Sequence, residues 1–169
     1  MNNPKVLIVH HSAVAGTSDQ FDAINNYHKS KGFPKSRLGY YTGYHFTIDK
    51  EGRTRQTKYN DEVGAHTIGW NTDSIGVCLF GDFNSEQPTT KQKEALNRLK
   101  DKLGLPMDLH RNKQSNRTCP GTNVTLEILK IEPDPIDKEK AEMIHQYMKK
   151  YPSLIVWFLR LLGRASQKS

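Results

Sequence analysis

A chain of 169 residues is long enough for one well-buried domain with an appendage and too short for two comfortable ones. Its 35% hydrophobic and 25% charged residues describe an ordinary, somewhat polar globular protein. A net charge of +7 implies an anionic partner without choosing among nucleic acid, anionic lipid and an acidic wall polymer. The opening MNNPKVLIVHH lacks a secretory signal, because its apolar run is only Val6 to Val9. The protein is therefore expected to be made in the cytoplasm and, if it works outside the membrane, to be let out by something else. Cys78 and Cys119 could pair, but a cytoplasmic origin favours free thiols or a metal ligand.

Residues 5–11 (KVLIVHH) form a continuous β-branched apolar run, which predicts a strand buried on both faces. A helix is expected over 18–31. Thr17 and Gln20 are spaced for a capping box, Phe21, Ile24 and Tyr27 make an apolar stripe, and Gly32 stops it. Residues 40–49 (YYTGYHFTID) are aromatic and β-branched, hence a strand, and Lys50, Glu51 and Gly52 predict a hairpin turn into 53–58. Residues 74–80 (SIGVCLF) predict another buried strand. The clearest helix is Thr90–Leu103. Pro88 and Thr89 open it, Gln92 can complete a capping box, Leu96, Leu99 and Leu103 line one face, and Gly104 ends it. Alternating strands and helices predict an α/β class, a single domain over 1–131 with a central mixed β-sheet flanked by helices.

After Ile131 the composition changes. Glu132, Pro133, Asp134 and Pro135 predict a stiff polar linker, since each proline disfavours helix at the residue before it. A helical stretch follows at 137–150, then an apolar run at 154–162 (LIVWFLRLL). That run is about half the ~20 residues a membrane span needs, and Arg160 interrupts it. Residues 132–169 are thus expected to form a linker and a C-terminal helical tail. Lys149, Lys150, Arg160, Arg164 and Lys168 frame the apolar run, with no acidic residue after Glu142. Such a tail either docks on the domain or lies on an anionic membrane surface.

His10 and His11 end an apolar strand, a common place for catalytic groups in α/β folds, and only one of the two can face a given site. Taken alone, a strand-end histidine is more often a hydrogen-bonded structural residue. The segment DLHRNKQSNRTCPG puts His110 and Cys119 in a loop after the long helix, with Arg117 two residues before the cysteine. Histidine and thiolate are favoured zinc ligands, and these two with one distant histidine leave a fourth tetrahedral position for water, as catalytic sites do. A lone histidine and cysteine in a loop are more often unrelated to metal, so the spacing alone leaves the question open.

Four segments, IVHHSA, GYHFTIDKEG, GAHTIGWNTDSIGVCLFG and HRNKQSNRTCPG, occur in the order found in the type-2 N-acetylmuramoyl-L-alanine amidases. The chain resembles that family over roughly residues 5–126, closest to its short phage-lysozyme (endolysin) branch. Animal peptidoglycan recognition proteins and cytoplasmic wall-recycling amidases are more distant. The resemblance implies one Zn2+ held by His10, His110 and Cys119, with Tyr44 beside the water at the metal. Arg117 stands where the phage branch carries a basic residue, usually lysine. His66 and Trp70 fall in the motif that lines the groove in relatives, where packing and substrate contact are equal alternatives. His11, His28 and His45 are expected to be structural. Cys78, where recycling amidases place a glutamate base, is expected in the core. The step from His110 to Cys119 is about one residue longer than usual for the phage branch, so its loop is expected to bulge.

The implied activity is zinc-dependent hydrolysis of the amide between N-acetylmuramic acid and L-alanine in peptidoglycan, by a monomer acting on the cell wall after release. The proton carrier stays open between Tyr44 and the water at the metal. The alternatives are a wall-binding protein of the same fold that does not cut, and a wall-recycling amidase of the cytoplasm. Such binders typically lack the cysteine ligand, and Cys119 is present. A nucleic-acid partner is not expected, because basic residues are scattered and no helix-turn-helix or stacking-aromatic motif occurs.

Overall fold

The computed structural model describes residues 1–16, 18–131 and 135–151. Its elements in chain order are β1 (Val6–His11), α1 (Phe21–Ser30), β2 (Phe46–Ile48), β3 (Thr54–Gln56), β4 (Ser74–Leu79), α2 (Thr90–Leu103), β5 (Met107–Leu109), α3 (His110–Lys113), α4 (Leu126–Leu129) and α5 (Pro135–Lys150). The five strands make one sheet in the order β3-β2-β4-β1-β5. All its pairings are parallel except the β2–β3 hairpin, so the sheet is mixed, with helices flanking it. The chain falls into two compact units, 1–131 and 132–169.

The central strands β1 and β4 are buried at every position, as continuous apolar runs require when both faces of a sheet are covered. Side chains alternate between those faces. Leu7, Val9, Ile75, Val77 and Leu79 pack with Ala95, Leu96 and Leu99 of α2. Cys78 and Phe80 pack with Phe21 of α1, with Ile24, Tyr40 and Tyr44 against them. His10 pairs with Cys78 in the ladder and shares the α1 face, while His11 has the parity of Leu7 and Val9. The helix α2 carries the capping box of Thr89 and Gln92 and ends on Gly104 in the left-handed region. Gln92 also donates through Nε2 to the Phe80 carbonyl at 2.9 Å, which ties the helix start to the sheet.

Several expectations need correction. The helix α1 begins at Phe21, not at 18. Gln20 turns its side chain back to Ser12 and to the Val14 carbonyl, so it braces the loop instead of completing a box, and Thr17 lies outside the described residues. The buried stripe of α1 contains His28 in place of Tyr27, because His28 Nδ1 accepts the Gly43 N–H and its ring stacks on Phe33. Of the strand expected over 40–49, only Phe46–Ile48 is laddered. Upstream, the Tyr41 N–H goes to Asn25 Oδ1 and the Gly43 carbonyl to the Ala65 N–H, so those groups are already used. His110 begins α3 and is not in a loop. The helix α5 exposes Met143, Ile144 and Tyr147. The apolar run 154–162 lies outside the described residues. No helix among the described residues is long and apolar enough to cross a membrane.

His45 belongs to the frame. Its Nδ1 accepts the Gly76 N–H at 3.0 Å, so Nε2 carries the proton, 2.8 Å from the Glu62 carbonyl. Burial lowers its pKa from 6.5 to about 4, with the Glu62 carbonyl opposing the shift. The unfolded chain therefore takes up this proton near pH 6.5, before the folded one does near pH 4. Its contribution is complete above pH 6.5 and declines as the pH falls toward 4, by up to about 3 kcal/mol. Urea unfolding across that window should show the decline in the wild type. His45→Asn keeps an acceptor for Gly76 but cannot titrate, so its slope should be shallower. Equal slopes would remove His45 as the source.

Candidate metal centre

The site is assembled by strand register. β1 and β5 run parallel with Val9 opposite Leu109, so His10 and His110 leave the sheet side by side although distant in sequence. Their rings lie 4.4 Å apart. Cys119 Sγ lies 3.6 Å from His10 Nδ1. Ligand atoms of His10, His110 and Cys119 all fall within 4.8 Å of one another. Arg111 holds the cysteine loop against α3. Its N–H donates to the Cys119 carbonyl at 2.8 Å, and its guanidinium to the carbonyls of Gly121 and Val124. At Gly121 a Cβ would stand 2.4 Å from the Phe83 backbone, so the loop closes only with glycine there.

The ring nitrogens can be accounted for one by one. His110 Nε2 is tied to Gln114 Oε1 at 2.7 Å, while its Nδ1 is buried without a hydrogen-bond partner among the described residues. His10 Nε2 meets His66 Nδ1 at 3.1 Å and Thr67 Oγ1 at 3.3 Å, and its Nδ1 faces the cysteine. An orphaned buried nitrogen costs about 1–3 kcal/mol, a penalty that a metal ion bound there would remove. Two imidazole nitrogens and a thiol fit zinc in number and kind. Burial, with His66 and His110 nearby, holds the pKa of His10 well below its usual value. Burial also lowers that of His110, with Gln114 opposing and Arg117 adding to the shift. Both rings are therefore neutral, as ligation requires. The Cys119 thiol is pushed up to about 11 by burial, against the pull of the His11 N–H, Arg111 and Arg117. It stays protonated at neutral pH until a cation displaces the proton.

Tyr44 stands at the edge of the cluster, its ring 5.1 Å from that of His10. Burial, then Cys78 and Cys119, raises its pKa well above the usual phenol, so it is a neutral donor, with its hydroxyl also in reach of the Cys78 thiol. A cavity of about 790 Å³ opens beside it along α1, lined in part by Ser12, Gln20, Ile24 and His28. Arg117 is exposed, and its charge acts on both His110 and Cys119. His66 is turned inward against His10, and the Trp70 ring carries the Lys113 ammonium 4.0 Å from its centre. On the other face of β1, His11 Nδ1 accepts the Phe83 N–H. Cys78 is fully buried and both thiols are free. Thr67, Arg111 and Gln114, which contact His10, Cys119 and His110 respectively, carry no local pattern in the sequence. Only the nearness of Arg111 and Gln114 to His110 could have drawn attention to them.

The family described as N-acetylmuramoyl-L-alanine amidase (Amidase_2) matches residues 1–122. Peptidoglycan-recognition protein SC2 of Drosophila melanogaster is 28% identical over 130 residues, 72% of this chain and 70% of that protein. The endolysin of Klebsiella phage KP32 is 35% identical over 81 residues, 47% of this chain and 50% of the endolysin. Among solved structures, N-acetylmuramoyl-L-alanine amidase LysC from Clostridium intestinale URNW matches with a TM-score of 0.63 and 28% identity, covering 76% of this chain and 84% of that one.

Proposed function

Because the chain belongs to the N-acetylmuramoyl-L-alanine amidase family, we propose that it hydrolyses peptidoglycan at the amide joining N-acetylmuramic acid to L-alanine, with one Zn2+ at His10, His110 and Cys119. The observation that carries this is the convergence of two imidazole nitrogens and a thiol, with His110 Nδ1 buried and without a hydrogen-bond partner among the described residues. Zinc held there would supply a Lewis acid for the carbonyl and lower the pKa of a bound water from ~15.7 toward ~7. The chain's own groups do the rest. Tyr44, kept neutral by burial, donates a hydrogen bond to the carbonyl oxygen as charge grows on it and can relay to the departing amine the proton that the attacking water gives up, ending as the neutral phenol it began as. Arg117 offsets that charge without moving protons, since a guanidinium does not titrate. Tyr44 also lines the cavity along α1, which would seat part of the substrate. Cys78 takes no part as a nucleophile, for burial raises its thiol pKa far above the usual range.

Digestion of purified sacculi, with and without a chelator, tests this directly. New L-alanine amino ends should appear by mass analysis, vanish on chelation and return with added zinc. A protein that binds sacculi without releasing such ends would be a wall-binding relative and not a hydrolase. Unchanged hydrolysis after the metal is stripped would overturn the zinc mechanism.

A further inference from the structure

We propose that His66 is a positioning residue that makes His10 offer Nδ1, and not Nε2, to the metal; this rests on the zinc site proposed above. His10 Nε2 lies 3.1 Å from His66 Nδ1, and the two rings meet edge-on at 82° with centroids 5.1 Å apart. That arrangement lets the in-plane N–H of one ring point at the in-plane lone pair of the other. Thr67 Oγ1 supports the same corner, 3.3 Å from His10 Nε2 and 3.0 Å from His66 Nδ1. When Nδ1 of His10 is a ligand, the ring's remaining proton can sit only on Nε2. His66 and Thr67 are the groups placed there to accept it. The general pattern is familiar: a ligating histidine donates its other N–H to a neighbour that fixes both tautomer and ring angle.

The position of His66 is itself over-determined. A Cβ at Gly76 would fall 2.5 Å from its Cδ2 and Cγ, and one at Gly64 also 2.5 Å from its Cδ2. Neither glycine has the positive φ that needs glycine for backbone reasons, so their missing side chains serve to make room for this imidazole. Gly76 is held in turn by its N–H to His45 Nδ1, which fixes the wall of the slot. At the open end, Asn71 Oδ1 accepts both the His66 and the Thr67 N–H at 2.9 Å. A surface histidine meant only to touch a ligand does not need a slot cut from a strand and a loop. His66 Nε2 ends buried and without a partner among the described residues, a cost the site tolerates to keep Nδ1 aimed at His10.

The test compares the full chain with His66→Leu, which removes the acceptor, and His66→Asn, whose Oδ1 falls where Nδ1 stood. Zinc affinity is measured by competition with a chromogenic chelator, and thermal unfolding of the metal-free forms is followed in parallel. His66→Leu should lose about 10–100-fold in affinity, while His66→Asn should keep most of it. Should the leucine variant fail to fold, nitrogen NMR of the zinc-loaded wild type decides. It should show His10 protonated at Nε2 and metal-bound at Nδ1. Wild-type affinity in His66→Leu, equal losses in both variants, or a proton on His10 Nδ1 would each overturn the inference. If the wild type itself takes up no zinc, the metal site falls and this inference with it. If the wild type binds zinc and the leucine variant matches it, only the role of His66 falls.

Discussion

Cys119→Ser should leave a folded protein that no longer retains zinc and no longer releases L-alanine ends from sacculi. The cysteine supplies the only ligand of the three that can become an anion, since burial keeps His10 and His110 neutral. A serine hydroxyl does not ionise at a comparable pH, so the substituted site loses both the charge and the soft donor that favour zinc. The loss should exceed the ~10–100-fold that removal of a supporting neighbour costs. The fold should survive because the loop is held through backbone groups. Arg111 grips the carbonyls of Cys119, Gly121 and Val124, and all three remain in the variant. Metal content after dialysis, with thermal unfolding as a control, is the measurement. A serine variant with full zinc and full activity would remove the cysteine from the centre. One that unfolds would make Cys119 a residue of the fold.

What could be read in the sequence was what is local or strongly patterned. The strands β1 and β4 are continuous apolar runs, and α2 carries its capping box, apolar face and terminal glycine within one window, so each was found with its bounds nearly intact. Failures came where tertiary partners take over the backbone. Residues 40–45 have the composition of a strand, yet Asn25 and His28 claim the N–H groups of Tyr41 and Gly43. β5 is three residues long, too short to show a period, yet its register against β1 is what brings His110 to His10. That meeting is a property of the ladder and has no signature in either segment. The ligand set came from family resemblance, but which nitrogen each ring offers did not. The proposed choice rests on Gln114 Oε1 at His110 Nε2 and His66 Nδ1 at His10 Nε2, contacts that exist only once the chain is folded.

Tyr44→Phe should lower turnover by about 10²-fold while leaving zinc content unchanged, the scale expected for losing a positioned proton donor. The ring packs against the cluster of Phe21, Cys78 and Phe80, and phenylalanine keeps that packing, so the loss isolates the hydroxyl. In the free protein the hydroxyl reaches the Cys78 thiol, a weak partner readily exchanged for a carbonyl oxygen carrying developing charge. Substrate affinity should therefore change little and the chemical step much, so the defect should appear in kcat and not in KM. Arg117→Lys supplies the contrast. The side chain is exposed and acts through its charge on His110 and Cys119, so lysine should preserve most of the rate. Arg117→Gln should lose more than Arg117→Lys if charge is the cause. A fully active Tyr44→Phe enzyme would leave the amine to be protonated by another group, and Tyr44 would return to being a wall of the cavity along α1.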